Sequence, residues 1–75
     1  MTRSYQIAVE PVAGGWSVVS DGREPMMFLS GARAEAQARA LARRLSEAGE
    51  DVELIIRDRS RTVAGAARYQ GLALA

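Results

Sequence analysis

The chain lacks the residues on which most enzyme mechanisms depend. It contains no cysteine and no histidine, and its ten basic residues are all arginine, so lysine is absent as well. An imidazole base, a thiolate nucleophile, a Schiff-base amine and the usual zinc ligands are therefore excluded. Carboxylates, hydroxyls, two tyrosines and the arginines remain. We expect a non-catalytic protein that holds no cofactor, no metal ion and no small-molecule ligand.

Long apolar runs are also missing. No stretch approaches the roughly 18 residues of a membrane span, and no signal-peptide core is present. The sequence therefore predicts a cytoplasmic protein with no membrane partner. Because there is no cysteine, no disulfide can staple the fold, and a core this small stabilises a chain by only about 3–5 kcal/mol. We expect a homodimer, most simply one with two-fold symmetry.

The first part of the sequence alternates with the period of a β-strand. Tyr5, Ile7 and Val9 fall on one face, and two turn dipeptides, Gly14-Gly15 and Asp21-Gly22, separate the runs that follow. Loops this short require antiparallel neighbours. The sequence thus predicts a three-stranded antiparallel meander.

The period then changes to that of a helix. From 32 to 48 an apolar stripe recurs at helical spacing, and Ser46 lies on the opposite, polar side. The stripe consists of Ala34, Ala38, Leu41, Leu45 and Ala48. Ser30 is the available N-cap, and Gly49 is a natural stop. The helix is expected to cover one face of the meander.

A further strand is predicted over 51–58, with Val52, Leu54 and Ile56 facing inward. The apolar segment that follows is weakly patterned, and we expect residues 64–75 to form either a short fifth strand or an ordered arm. The fold class is therefore α+β in the order β-β-β-α-β. Residues 1–75 are expected to be one domain, with its core over about 5–63.

This order of elements resembles DUF2188, a family of small bacterial proteins of unknown function. The matching residues are Val9, Pro11, Gly15-Trp16-Ser17-Val18, Phe28, Glu35-Ala36, Ala40, Ala42 and Ile55-Ile56-Arg57-Asp58. The resemblance covers roughly residues 5–63. It implies the fold and transfers no activity.

Four apolar residues point away from the face assigned to the helix: Val19, Met27, Leu29 and Ile55. A solvated sheet face usually carries fewer apolar side chains than this. The pattern favours a protein-protein interaction or oligomerisation module that pairs with a second copy. Either a strand edge or this second face could form the contact.

The alternative function is nucleic-acid binding. Arg57, Arg59 and Arg61 would lie on one face if the strand stayed extended, and such a row could straddle phosphates. The lone Trp16 could stack on a base, although a core or dimer contact is the commoner role for such a residue. The acidic run at 50–53 is most simply a solvated turn, with a hard-cation site as its alternative.

Overall fold

The computed structural model describes residues 4–72, which form five strands and one helix. In chain order these are β1 (Ser4–Val12), β2 (Gly15–Ser20), β3 (Met26–Phe28), α1 (Gly31–Glu47), β4 (Asp51–Arg57) and β5 (Val63–Tyr69). The strands make a single sheet in the order β3-β2-β1-β4-β5. The α+β class and the helix on one side of a sheet are confirmed.

The predicted meander is present. β1 and β2 pair antiparallel from Ile7 opposite Ser20 to Val12 opposite Gly15. β2 and β3 pair antiparallel over three positions, beginning with Trp16 opposite Phe28. Gly14 adopts a positive φ of 79° in the hairpin loop, a conformation that glycine adopts without steric cost.

The antiparallel description does not extend to the whole sheet. β4 pairs in parallel with β1, from Ser4 opposite Asp51 to Val9 opposite Ile56, so the sheet is mixed. The physical reason is the connection between β3 and β4. A helix of 17 residues spans about 25 Å and carries the chain back across the sheet, which allows β4 to run in the same direction as β1.

The hydrophobic core lies between α1 and the sheet face that α1 covers. Its buried members are Ile7, Val9, Val18, Val52 and Leu54 from the sheet, and Ala34, Ala38, Leu41 and Ala42 from the helix. Most of the helical members are alanine, so the helix axis can approach the strands closely. Partly buried aromatic side chains, including Trp16 and Phe28, complete this layer.

Both predicted ends of the helix are confirmed. The Ser30 hydroxyl accepts a hydrogen bond from the backbone N–H of Arg33 at 3.3 Å, which satisfies one otherwise unpaired group of the first turn. At the other end, Gly49 adopts a φ of 94°, the left-handed conformation that ends many helices.

The apolar stripe was predicted wrongly at its C-terminal end. Ala48 is exposed, whereas Ser46 is buried at 7% exposure. The cause is the segment Gln70-Gly71-Leu72, here called the C-terminal strap, which folds back onto the helix. The Ser46 hydroxyl donates to the Gln70 carbonyl at 2.6 Å, and the Leu72 N–H donates to the Ser46 carbonyl at 2.8 Å. Burying Ser46 is possible because the strap supplies its hydrogen-bond partners.

The segment after β4 is a strand rather than an arm. β5 pairs antiparallel with β4 from Val52 opposite Tyr69 to Ile56 opposite Gly65, with a bulge between Val63 and Gly65. The strap then leaves β5, and its Gly71 N–H donates to the Asp51 carboxylate at 2.7 Å. Residues 73–75 of the predicted segment lie outside the described residues.

Candidate functional site: the open sheet face and the β5 edge

The side of the sheet away from α1, here called the open face, carries the four residues that the sequence assigned to self-association. Val19 is 36% exposed, Met27 is 62% exposed, and Leu29, just past β3, is 90% exposed. Ile55 is half-buried near the middle of the sheet. Val19, Met27 and Ile55 belong to β2, β3 and β4, where alternation along the strand directs them away from the core, whereas Leu29 follows β3 and is placed by its exposure alone.

The centre of the open face has little relief. Ala8 stands opposite Val19 on one side and Ile55 on the other, and Ser17, at 4% exposure, lies beneath its larger neighbours. Toward β5 the surface dips into a shallow groove of about 350 Å³, whose lining includes Ile55 and Val63. Small side chains in the middle of a sheet face let an opposing surface approach closely.

Among the described residues, two ion pairs flank this apolar centre. Arg57 and Glu10 approach to 3.7 Å at one end, and Arg68 and Glu53 to 3.2 Å at the other. Both pairs are partly exposed, so neither contributes more than about 1 kcal/mol to stability. The two ion pairs matter for the charge of the surface, because each of these four charged side chains has an oppositely charged partner within the open face.

The sequence left a fifth strand and an arm as alternatives, and so it did not identify β5 as the strand that forms this edge of the sheet. Within residues 4–72 no strand pairs with the outer side of this seven-residue strand, and five of its residues are exposed. Arg68 is its one charged residue. The run Ala64-Gly65-Ala66-Ala67 lacks the β-branched residues that indicate a strand, which explains the weak signal.

The three arginines of the alternative function do not form one extended row. Arg57 ends β4, and the chain then turns: the Asp58 N–H donates to the Thr62 carbonyl and the Arg61 N–H to the Asp58 carbonyl, both at 2.9 Å. Arg61 itself adopts a φ of 64°. The strand geometry that would align three guanidinium groups ends at Arg57.

Asp58 organises this turn. Its carboxylate accepts hydrogen bonds from the backbone N–H groups of Ser60 at 2.9 Å and Thr62 at 3.1 Å, and from the Ser60 hydroxyl. The Ser60 hydroxyl and these two N–H groups stabilise the charged form and hold the pKa of Asp58 below its usual range. The role of Asp58 is therefore to fix the β4–β5 connection.

Trp16 is not an open stacking platform. The guanidinium carbon of Arg59 lies over its ring at 5.0 Å from the centroid, a cation–π geometry. A methyl group built at Gly31 would come within 3.1 Å of the indole, so the first turn of α1 also packs against it. These two contacts favour the structural interpretation of Trp16, and they leave Arg59 committed to a partner within the chain.

Two of the three acidic residues in the run at 50–53, after the helix, have partners. Asp51 holds the strap through Gly71, and Glu53 pairs with Arg68. Across residues 4–72, no three histidine, cysteine or carboxylate side chains gather as a metal ion would require. The described part of the chain also contains no helix with the length and apolar character needed to cross a membrane.

Comparisons with protein-family models, with curated proteins and with solved structures gave no match to this chain. The resemblance to DUF2188 therefore rests on the residues quoted above and stays a prediction.

Proposed function

We propose that this protein is a non-catalytic self-association module that packs the open face of its sheet against the same face of a second copy. The observation that carries the proposal is the exposure of large apolar side chains there, above all Met27 and Leu29. Clustered apolar side chains on the surface of a small domain are typical of a protein interface. The absence of histidine, cysteine and lysine supports a role without catalysis.

The charges of the open face favour a second copy over a partner of different composition. Glu10 is balanced by Arg57, and Glu53 by Arg68. Two copies of such a surface meet without a net like-charge repulsion, whereas a strongly acidic or basic partner gains no net attraction.

The size of the face is also sufficient. Five strands about 4.8 Å apart and about 20 Å long give a projected area of about 500 Å². The accessible surface exceeds this projected area, because exposed side chains such as Met27 protrude from the face, and it is therefore of the order of the roughly 800 Å² per partner of a standard interface. The open face can therefore support a specific contact without help from other parts of the chain.

The test is the mass of the particle in solution, measured by sedimentation velocity from low to high micromolar concentration. Met27→Lys places a charge in the proposed contact at a position that is already 62% exposed, so the monomer should fold normally. We expect the Kd of face-to-face association to rise by at least about tenfold, because a desolvated charge without a partner weakens an interface strongly.

The matched control is Ala36→Lys, which makes the same change in charge at an exposed position of α1. It should leave the association unchanged. A wild-type chain that is monomeric at high micromolar concentration contradicts the proposal, as does equal weakening by both variants.

Nucleic-acid binding through Arg57, Arg59 and Arg61 is the second candidate. The observation in its favour is that all three are carried by one connection at the end of β4. The engagement of Arg57 with Glu10 and of Arg59 with Trp16 weighs against it. A titration with DNA and RNA at two salt concentrations decides: phosphate contacts require affinity that falls steeply with salt, and absence of binding at low salt eliminates this candidate.

A further inference from the structure

The hydrogen bonds of the sheet determine which backbone groups of β5 point outward. The Asp21 N–H donates to the Gln6 carbonyl at 3.3 Å, so the backbone groups of Gln6 face β2. Along a strand these groups alternate in direction, and those of Tyr5, Ile7 and Val9 therefore face β4.

The same alternation can be followed across β4. In the parallel register Ile7 stands opposite Leu54, and its backbone groups bond to the residues on either side of Leu54. Leu54 consequently turns its own backbone groups to β5, where it meets Ala67. The N–H and C=O groups of the neighbouring Ala66 and Arg68 then point away from the sheet.

We propose that these outward groups pair with β5 of a second copy, antiparallel, in a register centred on Ala67. Ala66 then stands opposite Arg68 of the second copy, and Arg68 opposite its Ala66. Each of the two pairs exchanges two backbone hydrogen bonds, which gives four in total. The proposal rests on the self-association proposed above and assigns it a second contact.

The side chains of β5 are compatible with this register. Ala67 meets its own copy at the close, non-hydrogen-bonded position, where a small residue fits. Gly65 meets Tyr69 of the second copy, and the absence of a side chain at Gly65 leaves room for that larger residue, which packs against the core of its own chain. Arg68 faces alanine rather than another arginine, so no like charges stand directly opposite.

The symmetry of this contact keeps the open face available. The two-fold axis is perpendicular to the sheet, so both helices lie on one side of a continuous ten-stranded sheet. The two open faces are then adjacent on the opposite side of this sheet from the helices. Edge pairing and face packing use different surfaces, and together they give a particle of four chains.

The register can be tested by oxidation of single-cysteine variants, because the natural chain has no thiol. In Ala67→Cys the two equivalent Cα atoms lie about 4.5 Å apart, a separation that a disulfide can span. In the matched Ala66→Cys variant the two equivalent Cα atoms are two residues out of register and more than about 8 Å apart, beyond disulfide reach.

Both alanines are exposed in the monomer, so random collision affects them equally. Efficient cross-linking of the first variant alone is expected. Equal cross-linking of both variants, or none, overturns the register.

Two variants of opposite charge at position 66 test the same contact without covalent cross-linking. Ala66→Glu places an acid opposite Arg68 of the second copy, and Ala66→Lys places a cation there. The two variants should differ at least about fivefold in the Kd of edge pairing, with the glutamate variant tighter. Ala66 also lies on the open face, opposite Ile55, so either charge weakens face packing, and edge pairing is judged by the difference in Kd between the two variants.

The failures of the two proposals differ. A wild-type particle that is monomeric contradicts both. A dimer that dissociates with Met27→Lys, while Ala66→Glu and Ala66→Lys have the same Kd, contradicts edge pairing and leaves the proposed function standing. A dimer that responds to position 66 but not to Met27→Lys supports edge pairing and contradicts packing through the open face.

Discussion

The two edges of the sheet are built differently. β3 is three residues long, and Glu24 and Pro25 precede it directly. β5 is seven residues long and contains no proline. Short edge strands, charges and proline prevent a strand from adding to the sheet, and β5 has only Arg68 and one bulge as such features. The sequence at β3 therefore prevents a further strand from pairing there, and we call this side of the sheet the closed edge. The outer side of β5 can accept a further strand, and we call it the open edge.

The edges also differ in what holds them. β3 continues into α1 within two residues, because Ser30 caps the helix. β5 is followed instead by the C-terminal strap, whose hydrogen bonds reach Ser46 and Asp51. The open edge therefore depends on contacts made after the strand, and the closed edge on covalent continuity. Substitutions at each edge can separate these two kinds of support.

The largest effect is expected at the strap. A methyl group at Gly71 would overlap the Gly49 carbonyl and come within 3.0 Å of the Glu50 carbonyl carbon, so backbone must move. Gly71→Ala should lower the free energy of unfolding by about 3 kcal/mol, since the strap cannot keep its bonds to Ser46 and Asp51. Urea unfolding followed by circular dichroism measures the change.

Gly65→Ala, on β5 itself, is the matched control. A methyl group there meets only the Ile56 side chain at 3.8 Å or more, an ordinary contact. Its free energy of unfolding should stay within about 0.5 kcal/mol of the wild type. Similar losses for the two variants would show that the strap does not support the open edge.

A smaller loss is expected at the closed edge. A methyl group at Gly15 would overlap the Phe28 carbonyl of β3, but a strand of three residues can shift outward to relieve it. Gly15→Ala should cost about 2 kcal/mol and disturb the fluorescence of Trp16, which stands opposite Phe28. An unchanged Trp16 spectrum combined with a full loss of stability would place the damage elsewhere.

The sequence was sufficient to predict the elements that are determined by patterns among neighbouring residues. The alternation through Ile7 and Val9 indicated β1, and Ser30 and Gly49 marked the ends of α1. The position of β4 beside β1 was not predictable in this way, because it depends on the direction in which a helix crosses the sheet.

The burial of Ser46 and the open edge at β5 both depend on how residues 63–72 pack against β4 and α1. Small residues dominate that segment, so its sequence has no periodic pattern that would predict this packing. The apolar residues of the open face were identified by alternation alone, whereas the contacts of Arg57 and Arg59 required the turn at Asp58.

A moderate effect with a defined pH dependence is expected at the turn that leads into the open edge. The pKa of Asp58 is lowered by the Ser60 hydroxyl and by backbone N–H groups, so its charged form stabilises the folded state. This contribution is complete above the unfolded pKa of about 3.9 and is lost as the pH falls through the lower, folded pKa. Asp58→Asn should lower the Tm by a few degrees at pH 7 and by much less near pH 2.5. A Tm difference that is the same at both pH values would contradict the assigned role of the carboxylate.

The smallest effect is a gain in stability, at Arg61. This residue holds a φ of 64°, a region that costs a residue with a side chain about 1–2 kcal/mol and costs glycine little. Glycine also loses more entropy on folding, so Arg61→Gly should stabilise the fold by only about 0.5 kcal/mol. The contact that Arg61 makes through its backbone carbonyl, which accepts from the Arg57 guanidinium at 3.3 Å, is retained in the variant. Arg59→Gly in the same turn should instead destabilise, because it removes the cation–π contact with Trp16 without relieving a positive φ. Opposite signs for the two variants in urea unfolding would show that the connection into the open edge is limited by backbone strain at one residue and held by a side chain at the other.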